Sequence, residues 1–319
     1  MPTITRMKEL PWPLAGSQRL AWYSRTRSGF VIGNHADKML VPNDPNVQPS
    51  VVAKHSDAYS NKTHAYDELL PQTDYDEQVE SGRDGFRFLS RQQYGQAFAG
   101  RAWGSTCPVD QAMVTAANLT QEIPVLHSAT GSIVSFGNKK ITLHAPTPRL
   151  EKIGELKARG SIVALLAAPR SGFIFYATHA GDLVQVPISA EQIGKQKKLA
   201  TFERNVTSIR AAIDGPHLFV GGMGLLATVL AGDNDYQVLA KQEISCRAIE
   251  VLNDQWLLVN QGMHGFSLFD VEGGKLRSET SQKPSAPVDQ LVCSARGQHL
   301  LAIHQPPGGL GLYKINLGD

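Results

Sequence analysis

The sequence predicts an all-β fold in which four-stranded sheets repeat around a closed ring. Three observations predict it. Short apolar runs broken by glycine or polar turns fill most of the chain. One strand grammar recurs at a spacing of roughly 38–45 residues. The chain ends complement each other, with three strands at the C-terminus and one at the N-terminus. A propeller built from four-stranded antiparallel blades satisfies all three, because closing the ring leaves no long sheet edge open.

The first expected strand is ITRMKELP (4–11), stopped by Pro11 and Pro13, since proline removes a backbone donor and fixes φ. The first complete unit reads LAWYSRT (20–26), GFVIGNH (29–35), DKMLVPN (37–43) and SVVAKHS (50–56). Later second strands align as GSIVSFGNK (131–139), GFIFYATHA (172–180), PHLFVGGMG (216–224), QWLLVNQGM (255–263) and QHLLAIHQP (298–306). Each is an apolar run that breaks into small or polar residues at the same place. First strands precede them, as in SIVALLA (161–167) and VTSIRAA (206–212), and third strands follow, as in DLVQVPIS (182–189) and GLGLYKIN (309–316). A weaker unit spans GFRFLSR (85–91), YGQAFAGRA (94–102), GSTCPVDQ (104–111) and AMVTAAN (112–118). Its Pro108 suits an edge strand or a bulge. Counting this unit gives seven blades, the expected number, and rejecting it gives six. The last unit ends after three strands, so the N-terminal strand is expected to complete it. The whole of 1–319 then reads as one propeller domain.

The stretch GFSLFDVEGGKL (265–276) carries a family likeness. Leu268-Phe269-Asp270-Val271 followed by Gly273-Gly274-Lys275 resembles the third strand and turn of a WD40-like β-propeller blade, with Phe269-Asp270 in the place of Trp-Asp. No other unit has an aromatic-Asp pair there, and no Gly-His dipeptide opens a unit. The resemblance is therefore to the generic WD40-like superfamily, over nearly the whole chain, and it implies architecture only. A β-sandwich with a second β domain would explain the strand content but not the single repeat grammar.

Composition narrows the function classes. Of 319 residues, 31 are Lys or Arg and 29 Asp or Glu, a net charge of +2. That is no electrostatic footprint for nucleic acid or an anionic membrane. The three cysteines, Cys107, Cys246 and Cys293, are widely spaced. They are read as reduced thiols, and with no apolar leader at the N-terminus the expected location is the cytoplasm. No apolar run is long enough to span a membrane.

One segment breaks the repeat. Residues 56–84 lack strand alternation and are acidic, with Tyr-Asp-Glu at both 66–68 and 75–77. Tyrosines flanked by carboxylates suit a protein interface, aromatic anchors within a polar rim. The candidate partner-binding residues are Tyr59, Tyr66, Asp67, Glu68, Leu69, Leu70, Tyr75, Asp76 and Glu77, facing a partner with a basic patch. This insertion and the second-to-third-strand turns are expected on one face, the top. His35, His179, His264 and His304 follow second strands and are the top-face candidates.

No catalytic constellation or cofactor motif stands out. There is no G-x-S-x-G, and Cys293 reads as a small buried hydrophobe. Gly221-Gly222-Met223-Gly224 and Gly308-Gly309-Leu310-Gly311 precede no helix, so they read as turns needing positive φ and not as phosphate loops. GKQKK (194–198) reads as a solvated third-to-fourth-strand loop. The four tryptophans, Trp12, Trp22, Trp103 and Trp256, are expected between blades. The first functional expectation is a non-enzymatic interaction scaffold within a larger complex. The alternative is an enzyme or a small-ligand or metal binder at the top mouth of the central channel, drawing on Arg25, Arg91, His127, Arg170, Arg210 and Asp254.

Overall fold

The computed structural model describes residues 2–14, 20–24, 29–33, 38–53, 123–127, 132–137, 139–144, 152–167, 172–212, 216–231, 236–294 and 297–318. These residues are all-β, and their strands form six four-stranded antiparallel sheets. The chain divides into two compact units, residues 1–52 with 199–319, and residues 53–198. The expected unit at 85–118 and the insertion at 56–84 lie outside the described residues.

The first unit begins with β1 (Thr3–Leu10). One sheet follows in order from β2 (Leu20–Ser24) through β3 (Gly29–Gly33) and β4 (Lys38–Pro42) to β5 (Ser50–Ala53). In the second unit β6 (Ile123–His127), β7 (Ser132–Phe136), β8 (Lys140–His144) and β9 (Lys152–Lys157) form one sheet. The next sheet runs β10 (Ile162–Ala167), β11 (Phe173–Thr178), β12 (Asp182–Pro187) and β13 (Lys197–Thr201). Back in the first unit, β14 (Val206–Ala211), β15 (His217–Gly222), β16 (Leu225–Ala231) and β17 (Tyr236–Gln242) form a sheet. So do β18 (Ala248–Val251), β19 (Trp256–Gly262), β20 (Gly265–Asp270) and β21 (Arg277–Gln282). The last sheet has the order β1, β24 (Leu310–Asn316), β23 (His299–His304), β22 (Val288–Cys293). The N-terminal strand is thus the fourth strand of the last sheet, as its sequence position implied. It pairs with β24 from Thr3↔Asn316 to Leu10↔Leu310.

Within the first unit the innermost strands neighbour one another: β14 lies by β18, β18 by β22, and β22 by β2. This placement explains why the second and third strands read as unbroken apolar runs. Each is covered on both faces, so alternate residues enter alternate layers. Leu258 packs with Leu300, Ala302, Phe266 and Tyr313 in one layer. Leu257 and Val259 point the other way, to Phe219, Leu226 and Ile249. Leu301 and Ile303 leave the Leu300 layer for Phe30, Ile32 and Val41. Phe266 and Tyr313 meet edge to face at 5.0 Å. Trp256 is in the layer with Leu258, and Trp12 packs at the border of the layer with Phe30. The fourth strand β21 is polar, RSETSQ, with no buried residue, whereas the fourth strand β13 buries Leu199 and Ala200.

Side-chain ties hold β1 to both neighbouring sheets. Gln282 Nε2 donates to the Ile4 carbonyl at 2.9 Å, and Lys8 Nζ to the Pro45 carbonyl at 2.8 Å.

Two sequence expectations need correction. Residues 194–196 of GKQKK do lie in the connection from the third to the fourth strand, but Lys197 and Lys198 open β13 and the connection is pinned to its neighbours. Ser189 Oγ accepts from the amides of Glu191 and Gln192, which closes the turn early. The chain then runs back along β12, with an Ile188↔Ile193 bridge and a bond from Gly194 N to Pro187 O. Gln196 is held by the Tyr176 hydroxyl at 2.5 Å, and Lys198 Nζ lies 3.4 Å from Asp182. The glycines of 221–224 and 308–311 are also not all positive-φ residues. Only Gly224 is, at φ +70°. Gly222 is needed because a Cβ there would sit 2.0 Å from the Asn205 carbonyl oxygen, and Gly309 because of the Leu10 carbonyl oxygen at the same distance.

Candidate interaction face

Antiparallel order puts the second-to-third-strand turns at one end of each sheet and the first-to-second-strand turns at the other. In the first unit, the end with the second-to-third-strand turns carries two two-residue hairpins. Met223-Gly224 joins β15 to β16, and Met263-His264 joins β19 to β20. Tight two-residue turns favour Asn, Asp or Gly, which accept positive φ. Here the first turn residue is methionine in both. The strain is carried by glycines instead: Gly224 at +70°, and Gly262 and Gly265 at +65° and +85°. The two apexes therefore project. Met223 is 68% exposed and Met263 77%, the highest values among the exposed large hydrophobics of the described residues.

The segment between the two turns ties them together. Cys246 N donates to the Gly222 carbonyl at 2.8 Å, and Arg247 N to the Asn260 carbonyl at 2.7 Å. Thr207 Oγ1 donates to the Cys246 carbonyl at 3.0 Å. The Cys246-Arg247 step thus bonds to the strand that leads into each methionine turn. Arg247 folds across Gly262: a Cβ there would meet its Cδ at 2.7 Å. Its guanidinium reaches the Val288 carbonyl at 3.4 Å and Asp289 at 3.8 Å, and its side chain is 45% exposed. Arg204 occupies the matching place over the other turn, with Nε 3.7 Å from where a Gly224 Cβ would be. Cys246 is buried, and burial pushes its thiol from 9.0 up to about 12, against a smaller opposing effect of Arg210. It is a packing residue and not a nucleophile.

The candidates from sequence fall out as follows. Tyr59, Tyr66, Asp67, Glu68, Leu69, Leu70, Tyr75, Asp76 and Glu77 lie outside the described residues, as do His35, Arg25, Arg91 and Arg170. His264 is exposed at the apex beside Met263, and His179 is exposed in the β11–β12 turn of the other unit. His304 is the last residue of β23 and is buried, 3% exposed. It differs from the turn residue expected because β23 runs one residue further, pairing His304 with Val288. His127 ends β6. Arg210 lies in β14 near its far end, and Asp254 in the β18–β19 turn. Both belong to the sheet ends away from Met223 and Met263, so they do not join His264 at one mouth. Among the described residues no three His, Cys, Asp or Glu gather as a metal site, and no helix is long and apolar enough to cross a membrane.

Sequence reasoning passed over the methionines by reading GGMG as a glycine turn. The usable signal was a large apolar residue at the apex of a two-residue hairpin, a position that packing cannot reward.

No protein family matches the sequence, and no curated protein matches it. Among solved structures the chain is similar to the crystal structure of Chaetomium thermophilum Raptor, at 13% identity and a TM-score of 0.50, over 61% of this chain and 19% of that one. It is also similar to Kuenenia stuttgartiensis hydrazine synthase, at 15% identity and a TM-score of 0.46, over 57% of this chain and 54% of that one. The chain thus spans about a fifth of the length of the first and about half of the second. At such identities the likeness to Raptor speaks to the fold alone. That fold is of the propeller type, with the N-terminal strand completing the last blade.

Proposed function

We propose that this protein is a non-enzymatic interaction scaffold, a subunit of a larger complex that holds a partner protein at the sheet end bearing Met223 and Met263. The observation that carries this reading is the projection of two methionines from adjacent sheets, 68% and 77% exposed, at turns whose positive-φ positions are held by glycines. Large apolar side chains left this exposed on neighbouring turns gain nothing from packing within the chain, and such surface marks an interaction site. Exposed methionine suits a contact surface, because a flexible, polarizable thioether fits partners of varied shape.

The acidic segment 56–84 is a second docking element in this proposal, for a basic patch on the partner, with Tyr59, Tyr66 and Tyr75 as anchors. Affinity purification from the native host tests the scaffold. Stoichiometric co-purification of another protein is the expected result, and a lone chain carrying a small molecule would sink it. Deleting residues 58–82 is expected to leave the fold intact and to weaken capture. Undiminished capture would remove that segment from the interface.

A further inference from the structure

The two methionine turns and the arginines laid across them specify the chemistry of what docks there. Met223 and Met263 supply apolar contact at two points. The group laid across each turn is a guanidinium and not a carboxylate: Arg204 over Gly224, and Arg247 over Gly262. Both arginines are exposed, and exposed Lys283 follows in the next connector. The carboxylates on these connectors are Glu203 and Glu243, and Asp289 at the start of β22 is already engaged by Arg247 at 3.8 Å. Arg247 is itself braced on the Val288 carbonyl, so little side-chain freedom is lost when it binds. The backbone of the Cys246-Arg247 step lies between the strands leading into the two hairpins, while the Arg247 guanidinium reaches on past Gly262 to Val288 and Asp289 of β22.

We propose that this end of the first unit is a docking surface for a partner's peptide segment that combines large apolar side chains with acidic ones. Apolar side chains seat against Met223 and Met263, and a carboxylate meets the exposed Arg247 fork beside the Met263 turn. The proposal rests on the scaffold reading and adds the partner's chemistry and the residues that read it.

The test is to pan random dodecapeptides displayed on phage against the full chain and measure the winners by fluorescence polarization. Enriched peptides are expected to carry acidic and large apolar residues together, and to bind more weakly as salt rises. The double variant Met223→Ser, Met263→Ser is expected to lose about tenfold in affinity with its melting temperature unchanged. No enrichment, enrichment of basic peptides, or indifference to the two serines would overturn the assignment. A host partner that still binds the double variant would uphold a scaffold role through another surface, and would defeat both this docking surface and the placement of the partner at this sheet end. Peptides that need the methionines, with no co-purifying host partner, would do the reverse.

Discussion

Asp270 accepts a hydrogen bond from Arg277 at 3.0 Å through one carboxylate oxygen and from the Glu272 amide at 2.9 Å through the other. The Asp270 side chain is 10% exposed and that of Arg277 70%. The aspartate that gives this blade its WD40-like look is therefore a turn clasp. It fixes the 3-10 turn at Glu272–Gly274 and ties β20 to the start of β21.

The clasp predicts an asymmetry. Asp270→Ala is expected to cost about 2 kcal/mol, since it strands a backbone amide and removes a charged bond. Arg277→Ala is expected to cost less than about 1 kcal/mol, because an exposed pair contributes little. Asp270→Asn keeps an acceptor for Glu272 and should fall between them. Urea unfolding of the three variants checks the order.

Two glycines separate backbone strain from steric clash. Gly265 and Gly273 both have positive φ, +85° and +62°. A Cβ on Gly265 would meet the Gln282 carbonyl oxygen at 2.0 Å, whereas one on Gly273 meets nothing within 4 Å. Gly273→Ala is expected to cost about 1 kcal/mol, the backbone share alone. Gly265→Ala is expected to cost roughly 3 kcal/mol or more. Equal losses on thermal melting would contradict this account.

The Tyr176 hydroxyl accepts from the Arg159 amide at 3.1 Å and donates to Gln196, whose amide returns to the Lys157 carbonyl at 3.1 Å. Tyr176→Phe is expected to cost about 1–2 kcal/mol. It should also loosen the basic run, so trypsin should cut at Lys195 and Lys197 sooner than in the unmodified protein.

The Cys246 thiol also sets a pH dependence. Burial raises it from 9.0 to about 12, so above pH 9 the unfolded chain releases a proton that the folded chain keeps. The unfolded state then binds fewer protons, and stability falls as pH rises from about 9 to 12. Tyr176 and Tyr313, raised mainly by burial, push in the same direction. Below pH 9 the thiol contributes no slope. In the native protein at neutral pH, Cys246 is expected to resist a thiol reagent until denaturant is added.

The strand grammar was legible because it follows from burial. QWLLVNQGM and QHLLAIHQP read as unbroken apolar runs, and both became strands covered on both faces. The N-terminal strand was legible from counting, since the last unit had three strands and the first residues supplied one. GKQKK was rightly placed between third and fourth strands, but its last two lysines open β13, and the Ser189 turn that sends the chain back along β12 depends on one hydroxyl. The glycines of GGMG and GGLG were assigned to φ, although only Gly224 has a positive φ, and Gly222 and Gly309 answer to carbonyl oxygens far away in sequence. Distant carbonyls leave no local mark.

By itself the sequence determined the all-β class, the four-strand period and the pairing of the chain's two ends. Periodicity and strand count are local properties that burial on both faces imposes directly on residue choice. Only the tertiary structure decided which exposed residues meet. Met223 and Met263 are forty residues apart in sequence, and the Cys246-Arg247 step between them joins their hairpins through two backbone hydrogen bonds. The tertiary structure also decided that Asp270 is a clasp and that Arg210 and Asp254 sit at the sheet ends away from His264. Such proximities follow from sheet-to-sheet packing, which no single strand encodes.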